Sequence, residues 1–236
     1  MATSGTGEEV KLLGVQFSPF VIRARIALNL KGVGYEFLEE VFGKKSKLLL
    51  ESNPVYKKMP VLIHGGKPIC ESMIIVQYID DAWDTTGPSI LPSDPYERAT
   101  ARFWTTYMDD KLFPFMGQII KARNEAAKVE AVEQFATVLQ LLDGAFDKCS
   151  HGKGFFGGDA IGYVDIALGS FLRWLTAIEE LSGLTILAEE KTPGLIGWAE
   201  RFYSAEAVKD VLPETEKFVE FGKVVQAALL KSEATD

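Results

Sequence analysis

A chain of 236 residues is long for one ordinary domain and sufficient for two small ones, and 47% hydrophobic with 25% charged residues describes a packed globular protein. The net charge of −8, with no basic run beyond Lys44, Lys45 and Lys47, gives a nucleic-acid partner no electrostatic support. His64 and His151 are the only histidines, and Cys70 and Cys149 form no CxxC, so a metal site, an imidazole triad and a secreted disulfide framework are not expected.

Met1 to Val10 is small, polar and acidic, unlike a targeting signal, and no apolar run approaches the length needed to span a bilayer. A soluble, cytoplasmic protein without a membrane partner is the expectation. Lys11 to Val15 reads as a short strand ending before Ser18-Pro19, where proline suits a first helical turn because its missing N–H costs nothing there. That helix runs through Arg23, Ile26 and Leu28 to Lys31-Gly32, a basic last turn followed by a C-terminal glycine. Tyr35 to Glu39 reads as a second strand that completes a βαβ unit, and Ser46 to Ser52 as a short helix closed by Asn53-Pro54. Val61 to Ile63 is a strand headed by Pro60, and Gly65-Gly66 is a two-residue hairpin signal, so Pro68 to Cys70 should pair back antiparallel. Glu71-Ser72 opens a helix carrying Ile74, Ile75, Tyr78 and Ile79 and ending near Trp83.

Asp84 to Pro95 changes character and is dense in turn formers: Thr85, Thr86, Gly87, Pro88, Ser89, Pro92 and Ser93. Residues 1–84 are therefore expected as an α/β domain of order βαβ-α-ββα, 85–95 as a linker and 96–236 as an all-α helical domain. In the latter, Tyr96 to about Arg123 is helical, and Val129 to Cys149 is amphipathic through Phe135, Val138, Leu139, Leu142 and Phe146. Val164 to Ile178 carries only Asp165 and Arg173 as charges and reads as one buried central helix. Gly162 serves as its N-cap and Asp165 at N3 reaches back to the cap amide, half of a capping box, with Ile161 and Ile166 at staple positions. This is read as a structural element. Helices over Pro193 to Tyr203 and Glu214 to Lys231 complete the chain.

Two helix N-termini, at Ser18-Pro19 and Glu71-Ser72, fall at strand ends of the same small sheet, and each offers unpaired N–H groups that suit anions. A tripeptide with two carboxylates and a thiol is one ligand that uses both. Either motif alone is more often a simple cap. Their company is more specific: Ser18-Pro19-Phe20, Asn53-Pro54, Met59-Pro60-Val61-Leu62 and Glu71-Ser72-Met73-Ile74-Ile75 occur in one order. Together these residues resemble the thioredoxin-like glutathione-binding domain of the cytosolic glutathione transferases, most closely the plant tau class. Lys45-Ser46-Lys47-Leu48-Leu49-Leu50, Ala101-Arg102-Phe103-Trp104 and Phe155-Phe156-Gly157-Gly158-Asp159 extend the resemblance over essentially the whole chain.

The resemblance implies an enzyme with glutathione as co-substrate and no permanently bound cofactor, in which Ser18 donates a hydrogen bond to the glutathione thiolate. A thiol of pKa ~8.5 is mostly protonated at neutral pH, whereas the thiolate is the nucleophile. It implies a cis Met59-Pro60 bond that aims the backbone of Met59 at the cysteinyl unit, with Pro60 in a structural role. Glu71 faces the γ-glutamyl ammonium, Ser72 its carboxylate, and Lys45 and Lys58 the glycine carboxylate. It also implies an apolar electrophile pocket where the helical domain faces Ser18: Phe17 and Phe20 by the serine, Phe113, Gly117, Ile120 and Trp174 further on, and Phe218 and Phe221 near the end. Relatives often carry Trp or Arg at the Gly117 and Ile120 positions, so a roomier pocket for hydrophobic electrophiles such as herbicides or lipid peroxidation products is expected. A homodimer and a peroxidase side activity are implied as well. A carrier of apolar ligands is the alternative. A glutathione-dependent oxidoreductase is disfavoured, because such relatives carry cysteine where this chain has Ser18 and serine forms no mixed disulfide.

Overall fold

The computed structural model describes residues 8–122 and 124–233, so the helix end expected at Arg123 and most of the Met1–Val10 segment lie outside the described residues. The chain divides between Ser89 and Ile90 into two compact units.

The first unit is built on a four-stranded sheet in the order β2-β1-β3-β4. Strand β1 (Val10–Gly14) is central, and Leu12 and Leu13 are fully buried, each worth about 2 kcal/mol of apolar burial. Helix α1 (Pro19–Leu30) leads to β2 (Glu36–Glu39), parallel to β1. Pro19 occupies the first helical turn, and Gly32, at φ 65°, follows the C-cap Lys31 as the pattern requires. A Cβ at Gly14 would collide with the Val21 side chain, so glycine lets α1 lie close on β1. Helix α2 (Lys47–Ser52) precedes the hairpin of β3 (Val61–His64) and β4 (Lys67–Cys70). The turn residues Gly65 and Gly66 both have positive φ, the backbone that a two-residue hairpin matched to strand twist demands. Pro68 is tolerated because β4 is an edge strand. Helix α3 (Ser72–Ala82) packs on α1, and the buried Lys31–Asp80 ion pair (2.8 Å) ties the two together.

In the second unit the regular elements among the described residues are helices, joined by loops, one of which carries the isolated bridge between Phe155 and Gly158. The long helices α4 (Pro95–Lys121) and α5 (Glu125–Ser150) pack on one another, and the α5 core face is Phe135, Val138, Leu139, Leu142 and Phe146, as the spacing predicts. The single helix expected over Val164 to Ile178 is instead two, α6 (Tyr163–Gly169) and α7 (Leu172–Ser182). The break has local and tertiary causes. Phe171 N–H bonds to Leu168 O (3.0 Å) in a tightened turn, and the Ser170 hydroxyl bonds back to Ala167 O (2.8 Å). At Gly169 a Cβ would collide with the ring of Phe202, which is fully buried on α8 (Pro193–Ser204). A short helix α9 (Glu206–Lys209) is absent from the sequence expectation, and α10 (Thr215–Glu233) packs on α7.

Asp165 does more than the capping contact predicted for it. Its fully buried carboxylate accepts Gly162 N–H (2.9 Å), and also Phe156 N–H (2.8 Å), Gly157 N–H (2.8 Å) and the Trp198 indole N–H (2.7 Å). It thereby joins the α6 entry, the preceding loop and α8. Burial pushes its carboxyl up to about 6 against the downward pull of those donors.

Candidate active site

Strand register gathers the motif residues at one end of the sheet. Leu13, near the end of β1, sits opposite Val61 at the start of β3, and Val61 sits opposite Cys70 at the end of β4. The loop to Ser18, the Met59-Pro60 bond and the Glu71-Ser72 turn therefore leave the sheet from the same edge. The parallel partner adds Glu39, opposite Gly14, and so the loop carrying Lys45.

Ser18 is the N-cap of α1 by backbone geometry, its C=O accepting from Val21 N–H and Ile22 N–H (both 3.0 Å). Its hydroxyl makes no capping bond. An N-cap serine ordinarily spends that oxygen on the helix; here it is left for another partner, at half-buried position and beside the positive end of the helix.

Met59-Pro60 is cis. The preceding loop is clamped by buried Asn53, whose Nδ2 donates to Lys58 O (2.9 Å) and whose Oδ1 accepts Tyr56 N–H (3.1 Å). Met59 packs against the small core of Leu13, Leu49 and Val61. Glu71 is held at φ 71°, a conformation that costs a non-glycine residue about 1–3 kcal/mol. Such strain at the entry of α3 marks a backbone fixed by its surroundings. Fully buried Arg23 donates from Nη1 to Ser72 Oγ (3.2 Å), linking the first turns of α1 to the N-terminus of α3. Arg23 also lies over the Phe20 ring, 5.1 Å from its centroid. Because Ser72 Oγ accepts from Arg23, its own hydrogen is directed elsewhere.

Lys45 and Lys58 are exposed and form no ion pair among the described residues. Lys45 precedes Ser46, the N-cap of α2, which is gripped by Glu40: Ser46 N–H donates to Oε2 (3.1 Å) and its hydroxyl to Oε1 (2.6 Å). Neither Glu40 nor the Asn53 clamp is legible as a site residue in the sequence, since a loop carboxylate or amide gives no local signal of what it holds.

The description of the glutathione S-transferase N-terminal domain matches residues 8–81, and that of the C-terminal domain residues 103–206. Glutathione S-transferases U17 and U18 of Arabidopsis thaliana are 56% and 55% identical, each over 92% of this chain and 96% and 95% of their own length. The chain belongs to the glutathione S-transferases, in the tau class. A tau-class glutathione S-transferase from mango, 58% identical, superposes with a TM-score of 0.88 over 92% of this chain and 98% of its own. A rice glutathione S-transferase solved in complex with glutathione, 38% identical, gives 0.87 over 95% and 99%. The protein is thus a transferase enzyme that uses glutathione as its co-substrate.

In the helical unit of the transferase, Phe113, Gly117 and Ile120 fall on one face of α4 by their spacing, and Phe113 is 50% exposed. A Cβ at Gly117 would meet nothing within 4 Å. Trp174 on α7 meets Phe218 (5.6 Å) and Phe221 (6.1 Å) of α10 edge-on, and Phe218 is fully buried. The Gln226 amide donates to Ile120 O (2.9 Å), fastening α10 to the end of α4. Cys70 lies in the small core beside Met59, and burial followed by the Glu71 charge pushes its thiol up, away from a reactive thiolate.

A cavity of about 520 Å³ opens at the opposite end of the sheet, walled by Lys31, Tyr35, Glu36, His64 and Trp83 among others. Its chemistry is turned inward. Lys31 is spent on Asp80, Lys11 bridges Glu9 (3.1 Å) and Glu36 (3.6 Å), and His64 Nδ1 bonds the Tyr78 hydroxyl (2.8 Å) while stacking on Trp83. Ser18, Met59-Pro60 and Glu71-Ser72 lie at the other end of the sheet. Among the described residues no cluster of His, Cys, Asp and Glu could hold a metal, and no helix is long and apolar enough to cross a membrane.

Proposed function

We propose that the transferase activates glutathione through Ser18 and directs the thiolate at hydrophobic electrophiles. The observation that carries this reading is the uncommitted Ser18 hydroxyl at the N-terminus of α1, on the sheet edge shared by Met59-Pro60 and Glu71-Ser72. The hydroxyl donates to the thiolate and the helix end adds positive potential, so the ionised sulfur is favoured over the thiol. Met59 offers its backbone N–H and C=O to the cysteinyl unit. Glu71 faces the γ-glutamyl ammonium, and Ser72, its Oγ already accepting from Arg23, donates its hydrogen to the γ-glutamyl carboxylate. Lys45 and Lys58 pair with the glycine carboxylate.

The thiolate attacks an electrophilic carbon, an S–C bond forms, and the leaving group departs with its electron pair. Phe17 and Phe20 contribute apolar contacts, and in the helical unit Phe113, Ile120, Trp174, Phe218 and Phe221 do the same, with room left at Gly117. Residues 1–84 are the glutathione domain, 85–95 the linker, and 96–236 the domain that selects the electrophile. Detoxification of herbicides and of stress-derived electrophiles in the cytoplasm, a peroxidase side activity and a homodimeric assembly complete the proposal.

Turnover of a chloronitrobenzene and of a panel of apolar and polar electrophiles with glutathione tests it. Conjugation that favours apolar members supports the reading. Turnover confined to small polar electrophiles refutes the pocket assignment, and apolar ligand binding without any conjugation points to the carrier alternative.

A further inference from the structure

Between β2 and α2 the chain makes a closed loop, and its closure is a single carboxylate. Glu40 is buried, 8% exposed, and its backbone N–H bonds to Gly14 O (2.9 Å), the last residue of the strand that leads to Ser18. Its side chain reaches across the loop to Ser46, taking the N–H on one oxygen and the hydroxyl on the other. Between the two ends, Lys44 N–H bonds to Val41 O (3.0 Å), and Gly43 takes φ 80°, so the loop turns tightly back on itself. Ser46 in turn caps α2, its Oγ accepting Leu49 N–H (3.0 Å). Nothing cationic pairs with Glu40 among the described residues.

A buried carboxylate without a cation is costly, and it is retained where its hydrogen bonds are strong and specific. The Ser46 N–H belongs to the peptide plane that leaves Lys45. Fixing that plane fixes the backbone direction at Lys45, whose side chain is exposed and uncommitted. The same carboxylate is anchored through its own main chain to the end of β1. Glu40 therefore holds Lys45 in register with the strand edge that presents Ser18.

We propose that Glu40 is a positioning residue for glutathione, acting through Lys45 on the recognition of the glycine carboxylate. This rests on the reading of Lys45 as a partner of that carboxylate, and the test separates the two. Wild type, Lys45→Ala, Glu40→Ala and Glu40→Gln are compared for binding and KM with glutathione and with its glycine ethyl ester, which lacks the negative charge. Glu40→Gln preserves the side-chain volume and one acceptor should Glu40→Ala fail to fold.

Both Glu40 variants are expected to raise KM for glutathione by about three- to tenfold, the scale of loosening one charged contact. They are expected to leave KM for the ester within about twofold, with kcat at saturating glutathione and KM for the electrophile unchanged. In the double variant Glu40→Gln/Lys45→Ala, the Glu40 penalty disappears, because the group it acts through is gone. An equal penalty on glutathione and ester, or none on either, overturns the proposal while leaving Lys45 in place if Lys45→Ala still discriminates the two. Failure of Lys45→Ala to discriminate them overturns the Lys45 reading and the proposal with it.

Discussion

Replacing Ser18 by alanine separates a capping serine from a catalytic one. A serine that caps a helix with its side chain is worth ~1 kcal/mol of stability. The Ser18 hydroxyl makes no such bond, and the backbone C=O that starts α1 is untouched by the substitution. Stability of Ser18→Ala should therefore stay within about 0.5 kcal/mol of wild type in urea denaturation. Activity should not. A hydrogen bond to a charged group is worth about 1.5–3 kcal/mol, so kcat/KM for glutathione conjugation should fall by roughly 10- to 150-fold near neutral pH. If the lost bond is the one that stabilises the thiolate, the midpoint of the pH–rate profile rises by about one to two pH units. The defect then shrinks above about pH 9, where the thiol ionises unaided. A stability loss of about 1 kcal/mol or more would mean that the hydroxyl caps the helix after all. Activity within twofold of wild type, or a loss with no change of pH profile, would remove Ser18 from thiolate activation.

Asp165→Ala takes the acceptor from four N–H donors, three of them buried, and a loss of about 3–5 kcal/mol is expected in urea denaturation. Because burial raises Asp165 from 3.8 to about 6, its favourable linkage is complete below about pH 4 and is lost as pH rises to about 6; the stability gap between wild type and Asp165→Asn should narrow over that window. Gly169→Ala drives a methyl into the fully buried Phe202 ring and should cost about 1–3 kcal/mol, whereas Gly144→Ala, open on the exposed side of α5, should gain about 0.5–1 kcal/mol; equal effects would refute the packing argument. Burial pushes Cys70 and Cys149 up, so both should label slowly with a thiol reagent at neutral pH and Cys70→Ser should keep conjugation; rapid labelling coupled to loss of activity would give Cys70 a role in the chemistry.

What the amino-acid order determined by itself is whatever depends on neighbours along the chain. Pro19 suits a first helical turn, Gly65-Gly66 suits a two-residue hairpin, and the spacing of Phe135, Val138, Leu139, Leu142 and Phe146 puts them on one helical face, and each does so in the fold. The gathering of Ser18, Met59-Pro60 and Glu71-Ser72 on one sheet edge was legible too, because their order matched a pattern and each adjoins a strand end.

Only the tertiary structure decided which partners those residues find. An apolar run from Val164 to Ile178 has helical composition throughout, and the break at Ser170-Phe171 accompanies the approach of Phe202 to Gly169 from a helix more than thirty residues on. Asp165 reads as a local cap, yet three of its four donors come from Phe156, Gly157 and Trp198. Glu40 is an ordinary loop acid until folding closes it on Ser46. Ser18 taken alone reads as a cap and only its company in the sequence points to chemistry; the fold adds that its hydroxyl makes no capping bond. Local preference sets where elements begin and end, while burial and long-range hydrogen bonding choose which polar groups are spent on the fold and which are left for chemistry.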